Sequence, residues 1–117
     1  MKAIHNISKE AREEIITELL SHRSRKELAD ELGITPAAIV KFSSGKTHPS
    51  DETIMRALSI ANDDEKKKIL KIIVNDLVSS IVEILSNNPT IAEENLEELK
   101  KIITEVDKKS LSSFGFI

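Results

Sequence analysis

Arg25–Ser50, RKELADELGITPAAIVKFSSGKTHPS, decides the fold. It reads as a helix, a sharp turn, a second helix and a basic loop. Glu27, Leu28, Ala29 and Leu32 give the first helix one charged and one apolar face. Leu28 and Leu32 lie four apart, and Ile39 and Phe42 three apart, so each pair occupies one face of its helix and the two faces can meet. Ala29 stands where the helices are expected to cross, a place for a small side chain. Gly33 sits at a helix C-terminus, where the backbone is expected to turn through positive φ and a residue without Cβ meets no clash. Ile34 follows as an apolar plug. Ser24-Arg25-Lys26-Glu27 has the spacing of a capping box. Thr35 as N-cap, with Pro36 at the first helical position, starts the second helix, and Gly45-Lys46 ends it. A short helix held this way beside cations is the arrangement that carries side chains into the DNA major groove.

The stretch from Ser24 to Ser50 resembles the lambda-repressor-like helix-turn-helix domain, also called the Cro/C1 or XRE family. The likeness is carried by Glu27-Leu28-Ala29, Leu32-Gly33-Ile34, Ile39, Phe42, and Gly45-Lys46 with Pro49-Ser50. It implies a five-helix unit over roughly residues 8–62, with the fifth helix beginning near 63. It implies double-stranded DNA as partner, with helix 36–43 in the major groove. Ala37, Val40 and Lys41 would then face base edges. Arg25, Ser44, Lys46 and the amide end of helix 25–32 would hold phosphates, with Ser24, Lys26, Thr35, Pro36 and Thr47 on the same surface. Two features depart from the family pattern. Arg25 stands where members usually carry Gln. The groove side of the second helix, Pro36, Ala37, Val40, Lys41 and Ser44, is poor in the polar side chains that direct readout uses; Lys41 and Ser44 are its clear hydrogen-bonding residues. An apolar exposed face here also suits contact with a protein, as in an antitoxin or a regulator's partner.

Outside this stretch the pattern is helical throughout. Residues 8–22 form a first helix, capped by Ser8, with Ala11, Ile15, Ile16, Leu19 and Leu20 as its buried stripe. Ser50 or Asp51 starts a fourth helix that turns Ile54, Leu58 and Ala61 inward. Asn62-Asp63-Asp64-Glu65 is a further capping box, opening a long helix to about Ser86. Asn87-Asn88-Pro89 breaks it. Thr90-Ile91-Ala92-Glu93 caps a final helix ending near Lys109. No segment alternates like a half-buried strand, so the chain is expected to be all-α. The expected division is a DNA-binding domain over 1–62 and a C-terminal helical hairpin over 63–117.

That hairpin carries a heptad-like seam. Leu70, Val74, Leu77, Ile81 and Ile84 recur at spacings of 4, 3, 4 and 3, and Ala92, Leu96, Leu99, Ile103 and Val106 repeat them. The seam either packs on the N-terminal helices or meets a second chain. Palindromic DNA sites favour symmetric dimers, so a homodimer through these residues is the expectation. The apolar tail, Phe114-Gly115-Phe116-Ile117, either docks across that dimer or frays.

Composition bounds the remaining classes. The length, 117 residues, fits one small domain with an appended element. Seventeen isoleucines and only three phenylalanines mean that aliphatic side chains must fill the core. Net charge is −3, but residues 1–50 carry eight Lys/Arg against seven Asp/Glu, so a cationic surface near the turn is allowed. There is no cysteine, no apolar run near the roughly 20 residues of a membrane span, and no signal-peptide core at the start, so a cytoplasmic protein is expected. His5, His22 and His48 lack metal-ligand spacing, and no carboxylate pair stands out for acid–base work. No catalytic, metal or cofactor site is expected. His22 and His48 read as solvated loop residues flanking the DNA site, and Lys66-Lys67-Lys68 as a solvated helix face.

Overall fold

Isoleucine and leucine side chains from five short helices converge on one core, and the first part of a long helix closes it. The structure, a computed structural model, describes residues 1–91 and 96–113. Its helices are α1 (Lys2–Asn6), α2 (Lys9–Leu20), α3 (Arg25–Leu32), α4 (Pro36–Ser43), α5 (Asp51–Ile60), α6 (Asp63–Asn87) and α7 (Glu97–Ser113). No strand occurs among the described residues, so the protein is all-α there. The core holds Ile15, Ile16 and Leu19 of α2, Leu28, Ala29 and Leu32 of α3, Ile39 and Phe42 of α4, Ile54 and Ala57 of α5, and Ile69 and Ile73 of α6. Leu20, Leu58 and Ala61, expected inward, are partly buried against it.

Helix boundaries follow side-chain caps. Ser8 Oγ accepts the Ala11 N–H at 3.1 Å, so Ser8 is the N-cap and α2 starts at Lys9; it ends at Leu20 rather than at residue 22. Ser50 caps α5 through the Thr53 N–H, also at 3.1 Å. No sequence pattern marks α1. Its five residues are too few to show a period, yet Ile4 is buried in the core.

The turn between α3 and α4 has the expected chirality. Gly33 sits at φ 70°, ψ 33°, in the left-handed region. The Ile34 N–H donates to the Ala29 carbonyl at 2.9 Å and the Gly33 N–H to Asp30 at 3.3 Å, the paired bonds of a Schellman motif. Ala29 is fully buried at the crossing.

A buried arginine, Arg12, and a partly buried one, Arg23, tie the elements together. Arg12 of α2 donates to the Ile4 carbonyl at 2.7 Å, to the Pro49 carbonyl at 3.0 Å and to Asp51 at 2.6 Å, joining α1, the loop before α5, and α5. His5 also bonds Asp51, at 2.8 Å; His5 and Arg12 together hold the Asp51 carboxyl below its ordinary range. Arg23 meets Glu65 of α6 in a two-pronged pair at 2.7 and 3.0 Å. Further along α6, Asp76 accepts from the Ser8 N–H at 2.8 Å and the Ser8 hydroxyl at 2.5 Å. Since Glu65 meets the C-terminal end of α2 and Asp76 its N-terminal cap, α6 runs antiparallel along α2.

The chain divides into two compact units, Met1–Ser80 and Ile81–Ile117, and the division falls inside α6. The first unit thus extends past the boundary expected at residues 62/63. The reason is burial: Glu65, Ile69 and Ile73 lie in its core, and Ile72 and Leu77 pack on it. In the second unit α6 ends at Asn87, a turn follows at Pro89–Ile91, and α7 starts at Glu97. α7 continues to Ser113, beyond the expected end near Lys109. Ala92 and Glu93 of the expected capping box, and the tail 114–117, lie outside the described residues.

Two outcomes follow from this packing. Gly33→Val forces a β-branched residue into the left-handed region at a cost of about 1–2 kcal/mol, and Ala29→Leu overpacks the crossing at about 1–3 kcal/mol; both should lower the thermal midpoint. The second concerns acid. Hydrogen bonds from Arg23 hold the Glu65 carboxyl below its ordinary value of 4.5, against the opposing effect of burial. A depressed native pKa contributes stability that is complete above the unfolded value and is lost as pH falls through the native one. Thermal midpoints should therefore drop as pH is lowered past the ordinary glutamate range, and Glu65→Gln should start lower and show a shallower drop.

Candidate nucleic-acid interface

At the start of α3, Ser24 Oγ accepts the Glu27 N–H at 3.1 Å while Glu27 Oε1 accepts the Ser24 N–H at 3.4 Å, completing the expected capping box. The N–H groups of the first helical turn have no intrahelical acceptor and form the positive end of the helix dipole. Arg25 and Lys26 stand exposed on that turn, in no ion pair among the described residues. Cationic side chains and free amides at one helix end suit a phosphate.

α4 is fixed by its inner face. Ile39 is fully buried and Phe42 nearly so, which turns Pro36, Ala37, Val40 and Lys41 outward. Val40 is 44% exposed, an apolar side chain left to solvent. Thr35 Oγ1 accepts the Ala38 N–H at 3.1 Å, so the hydroxyl proton of this N-cap remains free to donate. At the other end the Lys41 carbonyl gathers three donors: Ser44 Oγ at 3.2 Å, the Lys46 N–H at 3.0 Å and the Thr47 N–H at 3.4 Å. Gly45, at φ 74°, allows that reversal. The result is a tight knot from which the Lys41, Lys46 and Thr47 side chains project into solvent. Ser44 is exposed, but its donor is used within the knot, so it reaches a phosphate only by turning off its own helix.

Other cations near the turn are committed elsewhere. Arg23, counted with the local positive charge in the sequence, is drawn inward by Glu65 and by Glu31, whose carboxylate lies 3.2 Å from Arg23 Nε. It adds no free charge to this surface. Lys68 pairs with Glu18 at 3.4 Å. Arg56 of α5, which the sequence did not single out, places its guanidinium over the turn, with Nη1 3.3 Å from where a Cβ on Gly33 would stand. Only tertiary packing brings these two together. His22 is exposed, whereas His48 is half-buried with Nδ1 lacking a hydrogen-bond partner among the described residues, so it is not a freely solvated loop side chain.

Residues 18–60 match the family model described as Helix-turn-helix. This stretch, 43 of the 117 residues, is similar to a helix-turn-helix of the Cro/C1 type. The helix-turn-helix match spans α3, α4, α5 and the end of α2, and it brings with it a family of DNA-binding regulatory domains. No curated protein and no solved structure matches the chain. Among the described residues no helix is long and apolar enough to cross a membrane.

The seam residues are distributed unevenly. Leu70 is 40% exposed, Val74 55%, Ile81 38% and Ile84 55%, whereas Leu77 is partly buried against the N-terminal core. On α7, Leu99, Ile103 and Val106 are exposed and Leu96 is half-buried.

Proposed function

We propose that the chain is a homodimeric, sequence-specific double-stranded DNA-binding protein that regulates transcription, with α4 as its recognition helix. The observation that carries this reading is the outward face of α4 within a helix-turn-helix, flanked by the cations Arg25, Lys41 and Lys46, which have no ion-pair partner among the described residues. Ala37, Val40 and Lys41 face base edges. Arg25, Lys46 and the amide end of α3 hold phosphates, with Ser24, Lys26, Thr35, Pro36, Ser44 and Thr47 around them. With Lys41 as the main hydrogen-bonding side chain toward the bases and Ala37 and Val40 suited to thymine methyls, direct readout is shallow, and DNA shape adds to it.

The homodimer rests on the exposed apolar residues of α6 and α7: Leu70, Val74, Ile81, Ile84, Leu99, Ile103 and Val106, with Leu77 and Leu96 at the edges of the seam. Apolar side chains aligned at heptad spacing are covered by a second copy at the smallest loss of symmetry. A reading as a protein-contact module is favoured by one observation, the exposed Ala37–Val40 face.

Fluorescence anisotropy across several salt concentrations tests the DNA reading. With Arg25 and Lys46 each neutralising one phosphate per subunit, the log–log slope of affinity against salt should be roughly −4 for the dimer. Lys46→Ala should make it shallower by about two units per dimer and weaken all sequences alike, whereas Lys41→Ala should relax preference at one base step. Absence of binding to genomic and random duplexes at low salt sinks this reading in favour of a protein partner. The assembly is tested by light scattering. Val74→Asp with Ile81→Asp, both at exposed positions, should give a folded monomer from a wild-type dimer. A wild-type chain that stays monomeric at high concentration refutes the homodimer.

A further inference from the structure

Glu65 is the most buried charged side chain among the described residues, at 1% exposure, and the DNA surface described above does not include it. Its partner, Arg23, lies immediately before Ser24, the N-cap of α3. We propose that Glu65 is a positioning residue for phosphate contact: through Arg23 it fixes the first turn of α3, where Ser24 and Arg25 meet the DNA backbone. The inference rests on the DNA-binding reading.

The guanidinium of Arg23 is held from three elements. Nη1 donates to the Leu19 carbonyl of α2 at 3.0 Å and to Glu65 Oε2 of α6 at 2.7 Å; Nη2 donates to Glu65 Oε1 at 3.0 Å; Nε lies 3.2 Å from Glu31 Oε2 of α3. With these donors engaged and its side chain only 12% exposed, Arg23 is not itself a phosphate ligand. It is an anchor one peptide bond from the capping box. Glu65 is equally constrained: its Oε1 also accepts the Asn62 N–H at 3.1 Å, and its own N–H donates to Asn62 Oδ1 at 2.8 Å. The charged and titratable groups facing the pair are Glu31, Glu27 and His22, all close to the same turn. Pairing also cancels the Glu65 charge, which would otherwise repel a phosphate held at the start of α3.

The two-pronged geometry gives the anchor its direction, and a lysine does not reproduce it. Without it, the first turn of α3 samples several orientations. Apparent affinity then falls by the fraction of molecules in the competent one. Because phosphates carry no sequence, specific and random duplexes lose affinity together.

The test compares Glu65→Gln, Arg23→Lys and Asp76→Asn in the full chain, at a temperature where all three are folded. Asp76→Asn is the control, since it loosens the other tie between α6 and α2, at Ser8. Amide exchange is measured without DNA at Glu27 and Leu28, whose N–H groups bond Ser24, and at Phe42 in α4. Glu65→Gln and Arg23→Lys should speed exchange at Glu27 and Leu28, spare Phe42, and weaken specific and random duplexes alike by roughly fivefold. Asp76→Asn should lower the thermal midpoint while leaving exchange at Glu27 and affinity unchanged. Unaltered exchange at Glu27 and Leu28 overturns the positioning role, as does equal weakening by Asp76→Asn. Faster exchange at these amides in a protein whose wild type binds no duplex upholds the positioning of the turn and overturns the DNA reading separately.

Discussion

The Arg23–Glu65 pair fixes where α6 lies and which way it is rotated. A carboxylate and a guanidinium removed from water cost several kcal/mol each unless they meet in good geometry, and losing one partner leaves the other charge uncompensated. Such a pair adds little over two well-packed apolar residues in net stability. It adds a penalty for every alternative placement. Glu65 must sit over the end of α2, so Ile69 and Ile73, four and eight residues on, follow it into the core. Asp76, bonded to the cap of α2, satisfies the same alignment further along.

That alignment decides what remains outside. With Glu65, Ile69 and Ile73 inward, Leu70, Val74 and Ile81 occupy the exposed side of the same helix. α6 thus belongs to the N-terminal core with one face and offers a second apolar face to solvent. A monomeric soluble chain rarely leaves a contiguous apolar face uncovered, and on the proposed reading a second copy covers it. On that reading the two alternatives left open by the sequence are divided between the faces of one helix.

The recognition surface depends on a different constraint. A left-handed Gly33 and a buried Ala29 let α3 and α4 cross closely, and Ile39 with Phe42 sets the rotation of α4. Once that rotation is fixed, the exposed positions of α4 are fixed as well, whatever residues occupy them. Here they include Ala37 and Val40, which gives an apolar patch between cations instead of a row of hydrogen-bonding groups.

The sequence by itself determined the helices and caps between Ser8 and Asn87, the turn at Gly33 and the outward residues of α4. Each depends on neighbours within about four positions, which periodicity and capping spacing report directly. It did not reveal α1, which is shorter than two helical turns. It marks Glu65 as a cap residue alone and gives Arg23 no role of its own, because their pairing joins residues 42 apart and leaves no local signal. The same holds for Arg12 with Asp51 and for Arg56 over Gly33. The extent of the N-terminal unit was likewise decided by tertiary structure. A capping box at Asn62 marks where a helix begins, but only the burial of Glu65, Ile69 and Ile73 determines which core that helix serves.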